Sequence, residues 1–155
     1  MSSQIPDTFI WNGEEYDFLL AENIDSLFEP RAYGLNPSSF SSDCWKGFVV
    51  HFSLENDRIC VSKLDVNCDD GNYPVINGVA AYVDDDDYHV YKNLNLMPAY
   101  TGTITLGKEL LPQYMFSAFT GPHSYLETYE LDFEEGRLVS WEDSTGKYSW
   151  NDLFK

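Results

Sequence analysis

The sequence predicts a mainly β (α+β) fold: an antiparallel sheet, arranged as a sandwich or part-open barrel of about eight or nine strands, with one short helix. Three observations predict it. Apolar and polar residues alternate in short runs, most clearly in Phe48 to Leu54 and Tyr129 to Phe133. Turn-forming residues separate the runs at Asn12-Gly13, Glu55-Asn56-Asp57 and Glu134-Glu135-Gly136. Aromatic residues, which favour pleated and half-buried surfaces, make up 16% of the chain and so can supply cross-strand packing on most runs.

Each element has its own reason. Asn-Gly suits a type I′ turn, whose two central residues take positive φ, so Thr8 to Leu20 reads as a hairpin. Ile24 to Phe28 reads as a short helical turn ended by Pro30, and Tyr33 to Asp43, rich in Gly, Asn, Pro and Ser, as a surface loop. Within Trp45 to Leu54, Phe48, Val50, Phe52 and Leu54 share one face, while Val49, His51 and Ser53 share the other. Arg58 to Val66 returns as the antiparallel partner, and a polar loop follows from Asn67 to Gly78. Val79 to Val83 and Tyr88 to Tyr91 read as short strands on either side of four aspartates; Asn93 to Ala99 reads as connecting chain. Thr101 to Leu106 is rich in β-branched residues and reads as a strand.

Lys108 to Phe119 is the helix candidate. Leu110, Leu111, Tyr114, Met115 and Ala118 recur at helical spacing, and Pro112 fits a first turn. Tyr125 to Phe133 and Arg137 to Trp141 form a second hairpin, after which Tyr148, Trp150, Leu153 and Phe154 predict a tail that docks. No repeat or long linker divides the chain, so residues 1 to 155 read as a single acidic domain. A domain of this size buries roughly 68–70% of its unfolded surface and needs no disulfide or metal to fold.

Charge narrows the function classes. Asp and Glu total 26 against 9 Lys and Arg, a formal net charge of −17. Nucleic-acid binding needs a basic footprint, and an anionic membrane repels such a chain, so neither partner is expected. A basic protein partner is expected, because a field of one sign speeds the approach of the opposite sign. Cys44, Cys60 and Cys68 cannot all pair within one chain, and the first thirty residues hold no apolar leader segment. Reduced thiols and a cytoplasmic location are the expectation.

The chemical motifs fail on spacing. Asp65-Val66-Asn67-Cys68-Asp69-Asp70-Gly71 opens like a calcium loop, but its glycine comes one residue late and Ile76 stands where a bidentate Glu is needed. Asp84 to Asp87 are consecutive, and neighbours on an extended chain point to alternate sides, so they do not converge on one cation. No close pair of Cys or His gives zinc spacing. His51 and Cys44 would form a nucleophile pair only if the fold joined them. No nucleophile elbow, phosphate loop or dinucleotide fingerprint occurs. No cofactor, metal or catalysis is expected.

One pattern remains: a strand opening Trp45-Lys46-Gly47-Phe48, a strand Ile59 to Leu64, an apolar strand Val79 to Val83 leading to Tyr100-Thr101-Gly102-Thr103-Ile104-Thr105-Leu106 running into a helix, then a closing hairpin Leu126 to Val139. Over residues 27 to 140 it resembles a group of small bacterial proteins with a Trp-(Arg/Lys)-Gly-aromatic strand and an aromatic-(Ser/Thr)-Gly strand before a helix. Those are similar to immunity proteins of polymorphic-toxin and contact-dependent inhibition systems. The resemblance implies an inhibitor that covers the active site of a toxin domain, of the basic nuclease type, and it brings no catalytic residues. The alternative is a non-catalytic ligand-binding or scaffold domain that uses an aromatic-lined sheet face. The residues expected to meet a partner are Asp84, Asp85, Asp86, Asp87 and Tyr88, then Asp65, Asp69, Asp70 and Tyr73 in the preceding acidic loop.

Overall fold

The Asn12-Gly13 turn forms as the sequence predicts, with φ of 53° and 76°, and joins β1 (Asp7–Trp11) to β2 (Glu14–Ala21). It belongs to a computed structural model that describes residues 5–41, 44–85, 87–114 and 121–147. The remaining strands are β3 (Phe48–Glu55), β4 (Arg58–Val66), β5 (Tyr82–Val83), β6 (His89–Leu96), β7 (Gly102–Leu110), β8 (Tyr125–Glu134) and β9 (Arg137–Asp143). All nine lie in one sheet ordered β3-β1-β2-β7-β8-β9-β4-β6-β5, and β3 also pairs with β4. That last pairing bends the sheet into a partly closed ring, which settles the choice between sandwich and barrel. With 52% of the described residues in strands and 10% helical, the mainly β class holds.

Inward residues of the ring form the core. Phe9, Phe18 and Phe52 stack at 5.0–6.2 Å between centroids, and Phe133 closes on Phe9 at 6.4 Å. Val50, Ile59, Leu64, Ile104, Leu106 and Leu131 fill the space between them. Alternation explains most of this, since Val50 and Phe52 are buried as their shared face predicts. Val49, on the opposite face, is also buried.

Four expected elements need correction. Lys108, Glu109 and Leu110 are strand rather than helix: Lys108 pairs with Glu127 and Leu110 with Tyr125. Pro112 then starts a 3-10 turn, Pro112–Tyr114, and the rest of the expected helix, from Met115, lies outside the described residues. Helical spacing of apolar residues was real, but ladder partners on β8 outweighed it, as tertiary pairing often does. Asn93 to Leu96 continue β6 instead of connecting, because Asn93 and Asn95 adopt φ of 55° and 52° and absorb the irregular register opposite β4. Val79 to Val83 shrinks to β5, with Val79 bridged only to Ile76. Asp65 belongs to β4 and not to a loop. Of the tail, Ser144 docks on β8 through its backbone N–H to Thr128 O (2.9 Å), while Tyr148, Trp150, Leu153 and Phe154 fall outside the described residues.

Gly47 explains one quoted pattern. Its φ is 79°, and a Cβ there would stand 2.2 Å from Ser38 O. Its carbonyl accepts from Asn67 N–H (2.8 Å), while Ser38 N–H donates to Asn67 O (2.8 Å). The glycine thus lets the backbone at Ser38 lie against Gly47 and Asn67 at the end of β4. Gly47→Ala is expected to lower stability by about 2 kcal/mol or more, from backbone strain plus the clash. Gly71→Ala, at a similar φ of 71° but with nothing within 4 Å, should cost only the strain, about 1–2 kcal/mol. Urea unfolding of both variants checks the difference; equal losses would contradict the close-approach account.

Candidate functional site

The strand register brings the two acidic loops to one end of the sheet. Phe48 pairs with Val66 and Val66 with His89, so the chain leaving β4 and the chain entering β6 emerge side by side. In the first loop, Asp69 and Asp70 are exposed. Asp70 accepts from Asn72 N–H (2.9 Å) and Asn36 Nδ2 (3.2 Å), and Asp69 from Asn67 Nδ2 (3.3 Å). Tyr73 is structural: its hydroxyl accepts from Cys68 N–H (2.8 Å) and its ring stacks on His89 at 3.6 Å.

The second loop closes on itself. Asp84 N–H donates to Tyr88 O, and Asp84 Oδ1 accepts from Tyr88 N–H, each at 2.9 Å. Tyr88 packs its ring on Phe40 at 4.2 Å. Asp85 and Asp87 stand exposed at the tip, and Asp86 lies outside the described residues. The expected set therefore divides. Asp69, Asp70, Asp85 and Asp87 present carboxylates to solvent, whereas Asp84, Tyr73 and Tyr88 shape the loops that carry them.

Asp65 stands apart from both loops. It completes a hydrogen-bonded chain across three strands: Thr8 Oγ1 to His51 Nδ1 (2.7 Å), and His51 Nε2 to Asp65 Oδ2 (2.8 Å), with Lys63 Nζ 3.6 Å from Asp65 Oδ1. His51 is thereby engaged on both ring nitrogens, and Cys44 Sγ instead contacts Phe48 O (3.9 Å), so the conceivable Cys–His pair does not form. Burial pushes the Cys60 and Cys68 thiols above their ordinary range, which suits inert core thiols.

Beside the acidic end lies a cavity of about 180 Å³. Phe18, Phe28, Phe48, Phe52, Leu27 and Val50 line it, with Asp7, Asp25, Glu29 and Lys46 among the polar lining residues. Asp7 Oδ1 accepts from Lys46 Nζ (2.7 Å) and Val50 N–H (2.8 Å). Lys46 Nζ also stands 4.6 Å from the Phe48 ring centroid, a cation–π contact.

A second aromatic group gathers at the β1–β2 turn. Trp11 lies 5.0 Å from Trp141, 5.4 Å from Tyr129 and 5.7 Å from Tyr16, between centroids. Lys108 Nζ sits 5.5 Å from the Tyr16 ring centroid and 2.6 Å from Glu14. The Lys108 hydrogen bond holds the Glu14 carboxyl below its usual range. Neither assembly was visible in the sequence, because their members come from elements far apart in the chain.

Compared with known proteins, the chain matches no family model, no curated protein and no solved structure. Among the described residues, no three His, Cys, Asp or Glu side chains group as metal ligands, and no helix is long and apolar enough to cross a membrane.

Two buried tyrosines, also missed, tether the segments that build these features. Tyr91 donates to Pro74 O (2.7 Å), behind the first acidic loop, and Tyr100 donates to Glu22 O, before the segment that lines the cavity. Burial pushes both phenols up to about 12. An unfolded phenol titrates near ~10, so the folded state holds these protons more tightly. Their stabilising contribution is complete below that value and is lost as pH rises towards about 12. Urea midpoints are expected to fall across this window, less steeply in Tyr100→Phe. Phenolate absorbance from all tyrosines near pH ~10, with the fold intact, would contradict it.

Proposed function

We propose that the chain is a non-catalytic inhibitor of the immunity type, which binds a basic toxin domain of the nuclease kind and covers its active site. The observation that carries this reading is the convergence of two acidic loops, with exposed Asp69, Asp70, Asp85 and Asp87, on one end of a chain of net charge −17. Such an end draws a cationic cleft through long-range attraction, raising the association rate by roughly 10–10³ at low salt. Affinity then comes from apolar anchors. Trp45, 51% exposed on the segment that packs against these loops, is the anchor this reading assigns. Asp84, Tyr73 and Tyr88 serve by fixing loop shape. The three cysteines, free and buried, suit work in the producing cell's cytoplasm.

The test is co-expression with the basic product of the adjacent gene. The two should co-purify, and the chain should restore growth to cells expressing that product; if it does neither, the reading fails. Reversing Asp69, Asp70, Asp85 and Asp87 to Lys should slow association about tenfold or more, and flatten its salt dependence, with a smaller change in dissociation. Stopped-flow mixing at two ionic strengths measures this.

A second reading, a ligand-binding domain, is favoured by one feature, the aromatic cavity beside Lys46.

A further inference from the structure

We infer that this cavity binds a small primary ammonium ion carried on an aromatic ring, an arylalkylamine. The inference rests on the second reading above, and its test needs no protein partner. Size comes first. At about 180 Å³ the cavity is below the usual range for drug-sized ligands, yet comparable to an apolar cavity of about 150 Å³ that takes up benzene. One six-membered ring with a short arm is therefore the class that fits. The lining suits a ring, because Phe18, Phe28, Phe48 and Phe52, with Leu27 and Val50, make it largely apolar and aromatic.

Charge selects the head group. Among the polar lining residues, three carboxylates (Asp7, Asp25 and Glu29) face one ammonium (Lys46). Lys46 is committed to Asp7 at 2.7 Å, which leaves the carboxylates of Asp25 and Glu29 for a second cation. An anionic head would be repelled by them, and a neutral head would gain a hydrogen bond without the attraction of opposite charges. Lys46 itself shows that the lining holds an ammonium well, since its Nζ bridges a carboxylate and the face of Phe48 at 4.6 Å. A ligand ammonium near Asp25 and Glu29 repeats that recognition. The site is also held in shape. Asp7 is fixed by Val50 N–H, and Tyr100 tethers Glu22 beside the segment that contributes Ile24 to Glu29. A preformed site of this kind avoids much of the ordering cost of binding.

The experiment titrates the full chain, followed by amide chemical shifts in NMR, with phenethylammonium chloride, 2-phenylethanol and sodium phenylacetate. Phenethylammonium should give saturable shifts centred on Phe28 and on Lys46 to Phe48. It should bind about tenfold more tightly than 2-phenylethanol, with phenylacetate weaker still. In the double variant Asp25→Asn with Glu29→Gln, the preference over the alcohol should shrink to about twofold while alcohol binding persists. Glutamine keeps the oxygen that accepts from Arg31 N–H (3.1 Å), and retained alcohol binding reports an intact cavity. Equal binding of amine and alcohol by the wild type would overturn ammonium selection while leaving a ligand cavity. Tighter binding of phenylacetate, or a preference unchanged in the variant, would overturn the role of the carboxylates. Absence of any saturable binding would overturn the cavity reading altogether.

Discussion

Two hairpin tips hold the ring together. Ile59 N–H donates to Gly136 O and Leu138 N–H to Asp57 O, each at 2.8 Å, around the one paired position between β4 and β9, Arg58 with Arg137. Two arginines stand opposite each other there, so the junction depends on backbone hydrogen bonds and not on side-chain attraction. Beyond it β4 turns the same edge to β6, from Val61 to Val66. This fork decides what the two ends of the sheet can do. β6 brings the Asp84–Tyr88 turn beside the Asn67 loop, while β9 departs and leaves Trp141 54% exposed over the β1–β2 aromatic group.

The acidic end and the cavity share one structural dependency. Ser38 and Gly47 are pinned to Asn67 at the start of the first acidic loop, and Lys46, beside Gly47, reaches Asp7 at the cavity. Tyr91 and Tyr100 tie the flanking segments from beneath, through hydroxyls that must find an acceptor once buried. The surface available for recognition is thus set by groups that never meet a partner. Carboxylates crowd the loops without collapsing them, because Asp70 and Asp84 spend lone pairs on neighbouring backbone N–H groups.

Local signals were legible and long-range ones were not. Asn12-Gly13, the Phe48 to Leu54 alternation and the closing hairpin each depend on neighbours in sequence, and each formed where the residues predicted. Lys108 to Leu110 misled because helical spacing and an inward-outward strand pattern overlap across so few residues, and only β8 resolves them. Asn93 and Asn95 hid the second half of β6, since asparagine at positive φ reads as loop whether it ends a strand or bulges within one. At the site, the two acidic loops were visible as composition, but their meeting depends on the antiparallel pairing of β4 with β6. The Thr8–His51–Asp65 chain joins three strands, and nothing in their local sequence marks it.

The fork also leaves an edge. Past Leu138, among the described residues, β9 pairs only with β8, so its outer backbone groups could template another strand. Glu142 and Asp143 guard that edge by repulsion, and Glu142 is the weaker guard, because its hydrogen bond with Glu130 holds its carboxyl above the usual range. On acidification Glu142 takes up its proton early. The seam that opens the barrel is therefore also a strand edge whose protection by charge weakens as the pH falls.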